Sequence, residues 1–167
     1  MKKKLEINQF QRTALSNGAK LLLMPINTKG MKMSEIGLIE DLLQFSPIQE
    51  GDEFFCQEEF IEDYAIGGGD ENSRIDIIYR ASTDESHVIG YAWADASEMT
   101  EAQSRFNLKC VGVEVKRLDE LTAGTIINIT PSTIKSSENY RDWLNQQYGE
   151  DFYESNPCVF LIQVGER

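Results

Sequence analysis

The chain has 167 residues and a mass of 19.0 kDa, the size of one domain that can bury a core without disulfides or metals. Hydrophobic residues make up 41% of it, which excludes a disordered chain, and no apolar run approaches the roughly 20 residues of a membrane-spanning helix. The net charge of −12 disfavours general binding to nucleic acid backbones, which depends on Lys and Arg. We expect a soluble domain without a membrane partner.

The negative charge is concentrated in the middle of the sequence. Residues 50–76 contain ten carboxylates and one basic residue, Arg74. Such a surface keeps a protein soluble, and it can also contact a basic partner protein. Both interpretations stay open.

The cysteines and the first residues of the sequence indicate the cellular compartment of the protein. Cys56, Cys110 and Cys158 are odd in number, widely spaced and set among apolar residues, which is typical of buried thiols in a reducing compartment. The opening MKKK is followed by polar residues rather than an apolar segment. We interpret it as a basic tag, expect no secretory signal and predict a cytoplasmic protein, in the host cytoplasm if the chain is phage-encoded.

Residues 1–49 are predicted to be mainly helical. The spacing of apolar residues predicts a helix over Asn8 to Ala19, and the run Leu21 to Leu23 is typical of a buried strand. A second helix is predicted from Met33 to Phe45, and Ser46-Pro47 ends it because the residue before a proline avoids helical geometry.

The stretch from Gly51 to Tyr64 combines a turn, a strand pattern and several carboxylates. Alternation places Phe54, Cys56 and Phe60 on one face of a single strand, and Glu58 interrupts that face. A carboxylate in an apolar row must be paired, hydrogen-bonded or at the rim of a cavity. The simpler alternative is that the strand emerges into water near Glu58.

The next segments predict a hairpin and a loop. IGGGDENS at 66–73 lacks the Lys-Ser/Thr of a phosphate-binding loop, so we interpret it as a connection to a strand from Arg74 to Ala81. A polar loop from Asp84 to Trp93 follows and contains the only histidine of the sequence, His87.

A long strand is predicted from Phe106 to Val115. Its apolar residues change face near Cys110-Val111. Either both faces of the strand are covered or a β-bulge near Cys110-Val111 redirects the chain, and a curled sheet is implied. Thr125 to Thr130 is β-branched and predicts a strand, and the alternative is a helix that begins near Leu118 to Leu121.

The C-terminal part predicts one helix and one strand. Ser136 or Ser137 can cap a helix with an apolar stripe that ends at Tyr148, and Gly149 closes it. Cys158 to Val164 is continuously apolar, as in a central strand.

Several of these segments resemble the ASCH family, which includes phage and prophage proteins. GDEFFCQEEF at 51–60 resembles the family's G-D-x-L-W-V-R-E-T-W, and YRA at 79–81 resembles its short Y-R-A strand. MTEAQSRFNLKCVGVEVKRLDEL at 99–121 is similar to M-P-x-W-A-S-R-I-x-L-E-V-x-x-V-R-V-E-R-L-Q-D-I, and residues 140–164 resemble the closing helix and strand. The resemblance implies an α+β fold, a PUA-like small mixed β-barrel with flanking helices.

The resemblance also implies a domain organisation. Residues 1–167 would form a single ASCH-like domain, in which an N-terminal helical segment at 1–49 leads into a barrel region at 50–167.

One catalytic motif of the family is incomplete here. ASCH amidohydrolases that act on acetylated cytidine carry G-x-K-T-x-T-x-R, whose lysine and second threonine are assigned to catalysis. The nearest match, Gly18 to Pro25, keeps the lysine as Lys20 but has leucine at both threonine positions, including Leu23. We therefore expect a non-catalytic protein, and Lys20 and Glu58 are the candidates if it is an enzyme.

The resemblance implies a pocket at the barrel mouth for a nucleotide, a modified base or a short single-stranded RNA. Such a pocket needs anion contacts, an acceptor for a base edge and a stacking surface. The candidates are Lys20 with Arg80 or Arg105 for the anion, Glu58 for the base edge, Tyr79 or Trp93 for stacking, and Ser104 beside Arg105. Ordinary helix capping, core packing or neutralisation of acids is the alternative for each.

No metal or cofactor is expected. One histidine and three scattered cysteines do not supply a zinc site, and the acids of residues 58–63 lack a recognised magnesium spacing. His87 in its polar loop does not suit a catalytic triad. Two further functions stay open: a phage accessory protein whose acidic surface contacts a basic host protein, and an amidohydrolase that acts on an acetylated cytidine.

Overall fold

The computed structural model describes residues 2–26, 38–64, 75–80, 92–129 and 137–165, which form an α+β fold. Short 3-10 helices cover Ile39–Phe45, Ala96–Glu98 and Leu118–Glu120. The strands and α-helices in chain order are β1 (Lys3–Glu6), α1 (Gln9–Ser16), β2 (Leu21–Pro25), β3 (Glu53–Gln57), β4 (Phe60–Tyr64), β5 (Ile75–Tyr79), β6 (Asn107–Arg117), α2 (Ala123–Ile129), α3 (Ser137–Tyr148) and β7 (Cys158–Gly165).

Five strands form the main sheet, in the order β1-β3-β6-β7-β2. β1 is parallel to β3, and the other neighbours are antiparallel. β4 and β5 form a separate antiparallel pair. This pairing makes the chain between them a hairpin connection, as predicted, although residues 65–74 lie outside the described part.

β7 is the centre of the core, because both of its faces are covered. Phe160, Ile162 and Val164 belong to one apolar cluster with residues of β1, β3 and α1. Val159 and Leu161 belong to a second cluster with residues of α2 and α3. A strand covered on both faces has no polar alternation, so the prediction of a central strand is confirmed.

The predicted bulge is confirmed in β6. The pairing of β6 with β7 shifts between Cys110 and Gly112, so that Val111 is the extra residue. Val111 is 44% exposed, whereas Cys110 is fully buried. The bulge therefore explains why the apolar residues of this strand change face.

The helices α1 and α3 are confirmed near their predicted bounds. Asn8 and Gln11 form a reciprocal capping box at the start of α1, with hydrogen bonds of 2.9 and 2.8 Å. Gly149 follows α3 with a φ of +125°, which favours glycine at a helix end. The helix predicted from Met33 to Phe45 is a 3-10 helix over Ile39–Phe45, and residues 33–37 lie outside the described part.

Three local predictions are wrong. The opening MKKK is not a tag, because Lys3–Glu6 pairs with β3 and Leu5 is 3% exposed. The single strand predicted after Gly51 is two strands of different sheets, β3 and β4, with a break at residues 58–59. The strand predicted at residues 125–130 is wrong, because residues Ala123–Ile129 form the helix α2. The alternative, a helix that begins near Leu118 to Leu121, is confirmed in part, because the 3-10 helix Leu118–Glu120 precedes α2.

A side-chain cap and core packing explain α2. The hydroxyl of Thr122 accepts a hydrogen bond of 3.2 Å from the Thr125 N–H, as an N-terminal cap does. Ile126 and Ile129 are three residues apart and pack into the cluster beside β2, while Ile127 is 73% exposed. Helical packing on the sheet therefore outweighs the β-propensity of this segment.

The predicted closed barrel is also wrong for the strands of the described residues. β1 and β2 lie at opposite ends of the strand order, and β4 continues into the separate pair. At the β2 edge, the Leu23 carbonyl accepts hydrogen bonds from the side chains of Gln11 (2.8 Å) and Tyr148 (3.3 Å). Side chains occupy the acceptor that a closing strand would need, so the edge is covered without closure.

Within the described ranges, no helix has the length and apolar character needed to cross a bilayer. The predicted loop from Asp84 to Trp93, including His87, lies outside the described residues except for its last two positions.

Replacement of Leu5 tests whether the first residues are part of the fold. We expect Leu5→Ala to lower the free energy of unfolding by about 3 kcal/mol, because it leaves a cavity in the core. The exposed neighbour Lys4 is the control, and Lys4→Ala should change stability by less than about 0.5 kcal/mol. Urea denaturation measures both, and equal small effects would show that β1 is dispensable.

Tyr148 gives a prediction in alkaline solution. Burial raises its pKa to about 12, although a hydrogen bond with Asn8 opposes the shift. Unfolded tyrosine ionises near pH 10, so the stability that depends on neutral Tyr148 is complete below about pH 10 and is lost as the pH rises towards 12. The difference in unfolding free energy between wild type and Tyr148→Phe should shrink over that interval. A difference independent of pH would contradict the burial of this hydroxyl.

Candidate functional site

An ion pair between a buried carboxylate and a half-buried arginine lies where the chain leaves the main sheet. Glu58 follows β3 directly and is 4% exposed. Its two carboxylate oxygens accept hydrogen bonds from Nε (2.7 Å) and Nη2 (2.6 Å) of Arg105. This bidentate geometry is the strong form of an arginine–carboxylate contact. The prediction that the strand emerges into water at Glu58 is therefore wrong, and the alternative that Glu58 is paired is confirmed.

Backbone pairing brings the two residues together. The Cys56 N–H donates to the Phe106 carbonyl (3.0 Å), and the Ser104 hydroxyl donates to the Cys56 carbonyl (2.7 Å). The segment before β6 is thereby held beside the end of β3. Ser104 has a structural role here, and it positions Arg105 opposite Glu58.

Aromatic rings flank the Arg105 guanidinium. Its central carbon lies 4.2 Å from the ring centroid of Tyr79 and 5.3 Å from that of Phe106, distances at which cation–π attraction operates. The Tyr79 hydroxyl donates to the Gln103 carbonyl (2.7 Å). The pKa of Tyr79 is raised above its ordinary value. Burial is the main cause, the positive charge of Arg105 opposes the shift, and the negative charge of Glu58 adds to it. Tyr79 therefore stays neutral and fixes the plane of Arg105.

Arg12 belongs to the same cluster, and the sequence analysis missed it. It lies on α1 and is 8% exposed. Burial and the charge of Arg105 lower its pKa, while the charge of Glu58 raises it, so all three charged groups interact. The sequence pattern that could have identified Arg12 is its position three residues before Leu15, which places both residues on one face of the helix.

A cleft of about 250 Å³ lies beside this cluster. It is bounded by the end of α1, the start of β6 and the end of β7. The residues that give it chemical character are Leu15, Lys20, Arg105, Phe106 and Asn107. Lys20 is exposed, and its carbonyl accepts the Val164 N–H (2.9 Å), which joins the α1–β2 turn to β7. The structure therefore brings together two predicted cations, Lys20 and Arg105, from distant parts of the sequence.

Arg80 and Trp93 form a different surface. Arg80 follows β5 and pairs with the exposed Glu59, at 2.9 Å between Nη1 and Oε2. Its guanidinium lies 5.8 Å from the ring centroid of the half-buried Trp93. The neighbours Tyr79 and Arg80 therefore have different contacts, since Tyr79 packs against Arg105 while Arg80 contacts Glu59 and Trp93. Neither Arg80 nor Trp93 lines the cleft.

The position of Leu23 bears on the incomplete catalytic motif. Lys20 lines the cleft, but Leu23 is fully buried in the cluster between β2, α2 and α3. A threonine at this position would face the core. Leu23 therefore supplies no hydroxyl group at the position that the family's motif assigns to catalysis.

The described carboxylates do not form a metal site. Within those residues, no group of three His, Cys, Asp or Glu side chains could hold a metal ion. Several acids have other partners: Asp52 pairs with Lys3, and Glu62 accepts a hydrogen bond from Gln103. The hydrogen bond from Lys3 lowers the pKa of Asp52.

Loss of Arg105 should destabilise the fold strongly. We expect Arg105→Met to lower the free energy of unfolding by about 3 kcal/mol, because it removes the bidentate partner of the buried Glu58 carboxyl group. Arg80→Met is the matched control, since its pair with Glu59 is exposed, and it should cost less than about 1 kcal/mol. The double variant Glu58→Gln/Arg105→Met should be more stable than Arg105→Met alone. Urea denaturation measures the stability of each variant. If Arg105→Met and Arg80→Met lost equal free energy of unfolding, the pair of Arg105 with the buried Glu58 would contribute no more than an exposed pair.

Comparison with known proteins gives no relative. No family model, no curated protein and no solved structure matches the chain. The resemblance to ASCH segments therefore stays a hypothesis based on short motifs, and the function has to be inferred from the contacts of the cleft.

Proposed function

We propose that the chain is a divergent ASCH-like, PUA-like domain with an open sheet, and that its cleft binds a nucleotide or a modified base without catalysing a reaction. The observation behind the proposal is that Lys20 and Arg105 line one small cleft. Both residues were singled out from motifs that resemble the family.

The positively charged side chains that line the cleft support an anionic ligand. The whole chain has a net charge of −12, yet this cleft is lined by a lysine and an arginine and by no carboxylate. Arg105 is held in place by Glu58 and the neighbouring rings, so it needs little reordering to contact a phosphate. Arginine and lysine are the usual phosphate contacts in proteins.

The volume of the cleft supports a small ligand rather than a single-stranded RNA. Small-molecule pockets usually measure roughly 300–1,000 Å³, so a cleft of about 250 Å³ accommodates a base or a phosphate group and part of a ribose. The exposed acids around the hairpin, such as Glu59, would repel the further phosphates of an RNA. A mononucleotide therefore fits better than a single-stranded RNA.

The ring for base stacking is Phe106 in this proposal. Phe106 lines the cleft beside the Arg105 guanidinium, whereas Tyr79 does not line it. Asn107 also lines the cleft, and its amide can hydrogen-bond a base edge. Glu58 has both oxygens bonded to Arg105, so its role is to orient Arg105 rather than to contact the base directly.

Nucleotide affinity tests the proposal. We expect the protein to bind cytidine 5′-monophosphate at least about tenfold more tightly than cytidine, because one charge-assisted contact contributes roughly 1.5–3 kcal/mol. Lys20→Met should remove most of this difference. Lys4→Met changes the net charge equally on the exposed side of β1 and should leave it intact. Isothermal titration calorimetry measures the six affinities, those of the two ligands for each of the three proteins.

The affinities and three further assays, of RNA binding, hydrolysis and protein capture, separate the alternatives. Equal affinity for the nucleotide and the nucleoside, or no effect of Lys20→Met, would contradict the phosphate role of the cleft. Tighter binding of an eight-nucleotide RNA than of the mononucleotide would favour a strand-binding surface. Hydrolysis of N4-acetylcytidine that disappears in Lys20→Ala would favour the enzyme alternative. No binding to any of these, with capture of a basic host protein, would favour the acidic-surface alternative.

A further inference from the structure

A second cleft, the Gln163 cleft, lies on the other side of the central strand. It measures about 220 Å³ and is formed by residues of β2, β6, β7 and α2 together with Glu50. Leu161 of β7 lines it, whereas Val164 of β7 lines the cleft beside Lys20. Leu161 and Val164 belong to the two apolar clusters that cover opposite faces of β7. The two clefts therefore border opposite faces of the main sheet, and they share no lining residue.

The pairing of β6 with β7 leaves this cleft open. Gly112 and Glu114 of β6 lie beside Gln163 and Leu161 of β7, on the face that α2 and α3 cover in part. The helices bury Leu161, but Gln163 is exposed. A Cβ atom at Gly112 would lie 3.4 Å from Oε1 of Gln163. The absence of a side chain at Gly112 therefore keeps the space next to the Gln163 amide accessible.

The charges of the Gln163 cleft differ from those beside Lys20. Two carboxylates and one lysine line it, which leaves an excess of one negative charge. Glu114 and Lys116 pair with each other, at 3.0 Å between Oε2 and Nζ. Among the residues that the structure describes, the Glu50 carboxylate and the Gln163 amide have no hydrogen-bond or ion-pair partner. The excess charge therefore belongs to Glu50.

Backbone contacts place Glu50 at the same end of the cleft as Gln163. The N–H of Gly51, the residue after Glu50, donates to the Cys110 carbonyl (2.9 Å). Cys110 precedes the bulge in β6, and Gly112, which pairs with Gln163, follows it. Two groups with unused acceptor oxygens, a carboxylate and an amide, thus line one end of a small cleft.

We propose that the Gln163 cleft binds an alkylguanidinium group, the group at the end of an arginine side chain. A guanidinium is planar and has five N–H donors, so it can donate to the Glu50 carboxylate and the Gln163 amide oxygen together. Leu21, Val113 and Leu161 line the same cleft and offer apolar contact to the aliphatic chain.

The volume and the overall charge agree with such a ligand. About 220 Å³ is less than the roughly 300–1,000 Å³ of usual small-molecule pockets, so the cleft suits one side chain rather than a cofactor. The net charge of −12 attracts a cation from solution. This site uses none of the residues of the proposed nucleotide site, so neither proposal depends on the other.

Two short peptides test the inference by NMR titration of the ¹⁵N-labelled protein. Acetyl-Gly-Arg-Gly-amide presents a guanidinium, and the same peptide with citrulline in place of arginine presents a neutral group of nearly the same shape. We expect the arginine peptide to bind at least about fivefold more tightly, because its hydrogen bonds to a carboxylate are charge-assisted. The signals of the Gly112 N–H and of the Gln163 side-chain amide should shift during this titration.

Substitutions at exposed positions assign the contacts. Glu50→Gln should reduce the preference for arginine over citrulline to within about twofold, because it removes the charge that distinguishes the two peptides. Glu6→Gln changes the net charge equally on β1, at the far end of the strand order, and should leave the preference intact. Gln163→Leu should weaken binding of the arginine peptide by about threefold, because it removes an acceptor. Urea denaturation of each variant checks that it is folded.

Several outcomes would overturn the inference. These are equal affinity for the arginine and citrulline peptides, an unchanged preference in folded Glu50→Gln, and signal shifts that do not include Gly112 or Gln163. Equal binding of a peptide with lysine in place of arginine would overturn the assignment to a guanidinium.

The compound n-butylguanidinium distinguishes the two sources of the group. Affinity equal to that of the arginine peptide indicates a free small cation, and weaker affinity indicates an arginine of a partner chain with contacts beyond the cleft. Both results support the site. Failure of cytidine 5′-monophosphate to bind would overturn the proposed function and leave this inference standing.

Discussion

The bidentate contact between Glu58 and Arg105 is the interaction on which the arrangement depends. It lies where the chain passes from the main sheet into the β4–β5 hairpin, with Tyr79 of the hairpin against Arg105 and with the charges of both partners acting on Arg12 of α1. A buried charge is tolerated only when it is paired and hydrogen-bonded. The requirement to pair Glu58 therefore links four separate segments of the chain at one point.

The same requirement gives the cleft its chemistry. If Arg105 moved away, the buried Glu58 carboxylate would lose its bidentate partner. Arg105 therefore presents a guanidinium of fixed orientation to the space next to Lys20. Such preorganisation reduces the entropy that a ligand must overcome on binding. The acidic hairpin surface nearby limits how long an anionic ligand can be. A small, charged and partly aromatic ligand satisfies both conditions.

Several elements could be predicted because they depend on neighbours in sequence. The apolar run of β7, the change of face near Val111 and the glycine that closes α3 are local patterns, and each is found where the pattern placed it. The segment after Thr122 was predicted wrongly, because packing of Ile126 and Ile129 on the sheet outweighs intrinsic strand preference. β1 was missed, because four residues with a single buried leucine give too weak a periodic signal.

The sequence by itself determined the mixture of α-helices and β-strands and most of their positions, and it identified Glu58 as a carboxylate in an apolar row. Lys20 and Arg105 became candidates only through the family resemblance. Only the tertiary structure decided that Glu58 pairs with Arg105, that Arg12 joins them, and that Arg80 and Trp93 lie elsewhere. It also decided that the sheet stays open, since side chains from α1 and α3 occupy the edge of β2. The physical reason is that alternation and helical spacing report which face a residue occupies, whereas charge pairing and edge coverage depend on segments far apart in the chain.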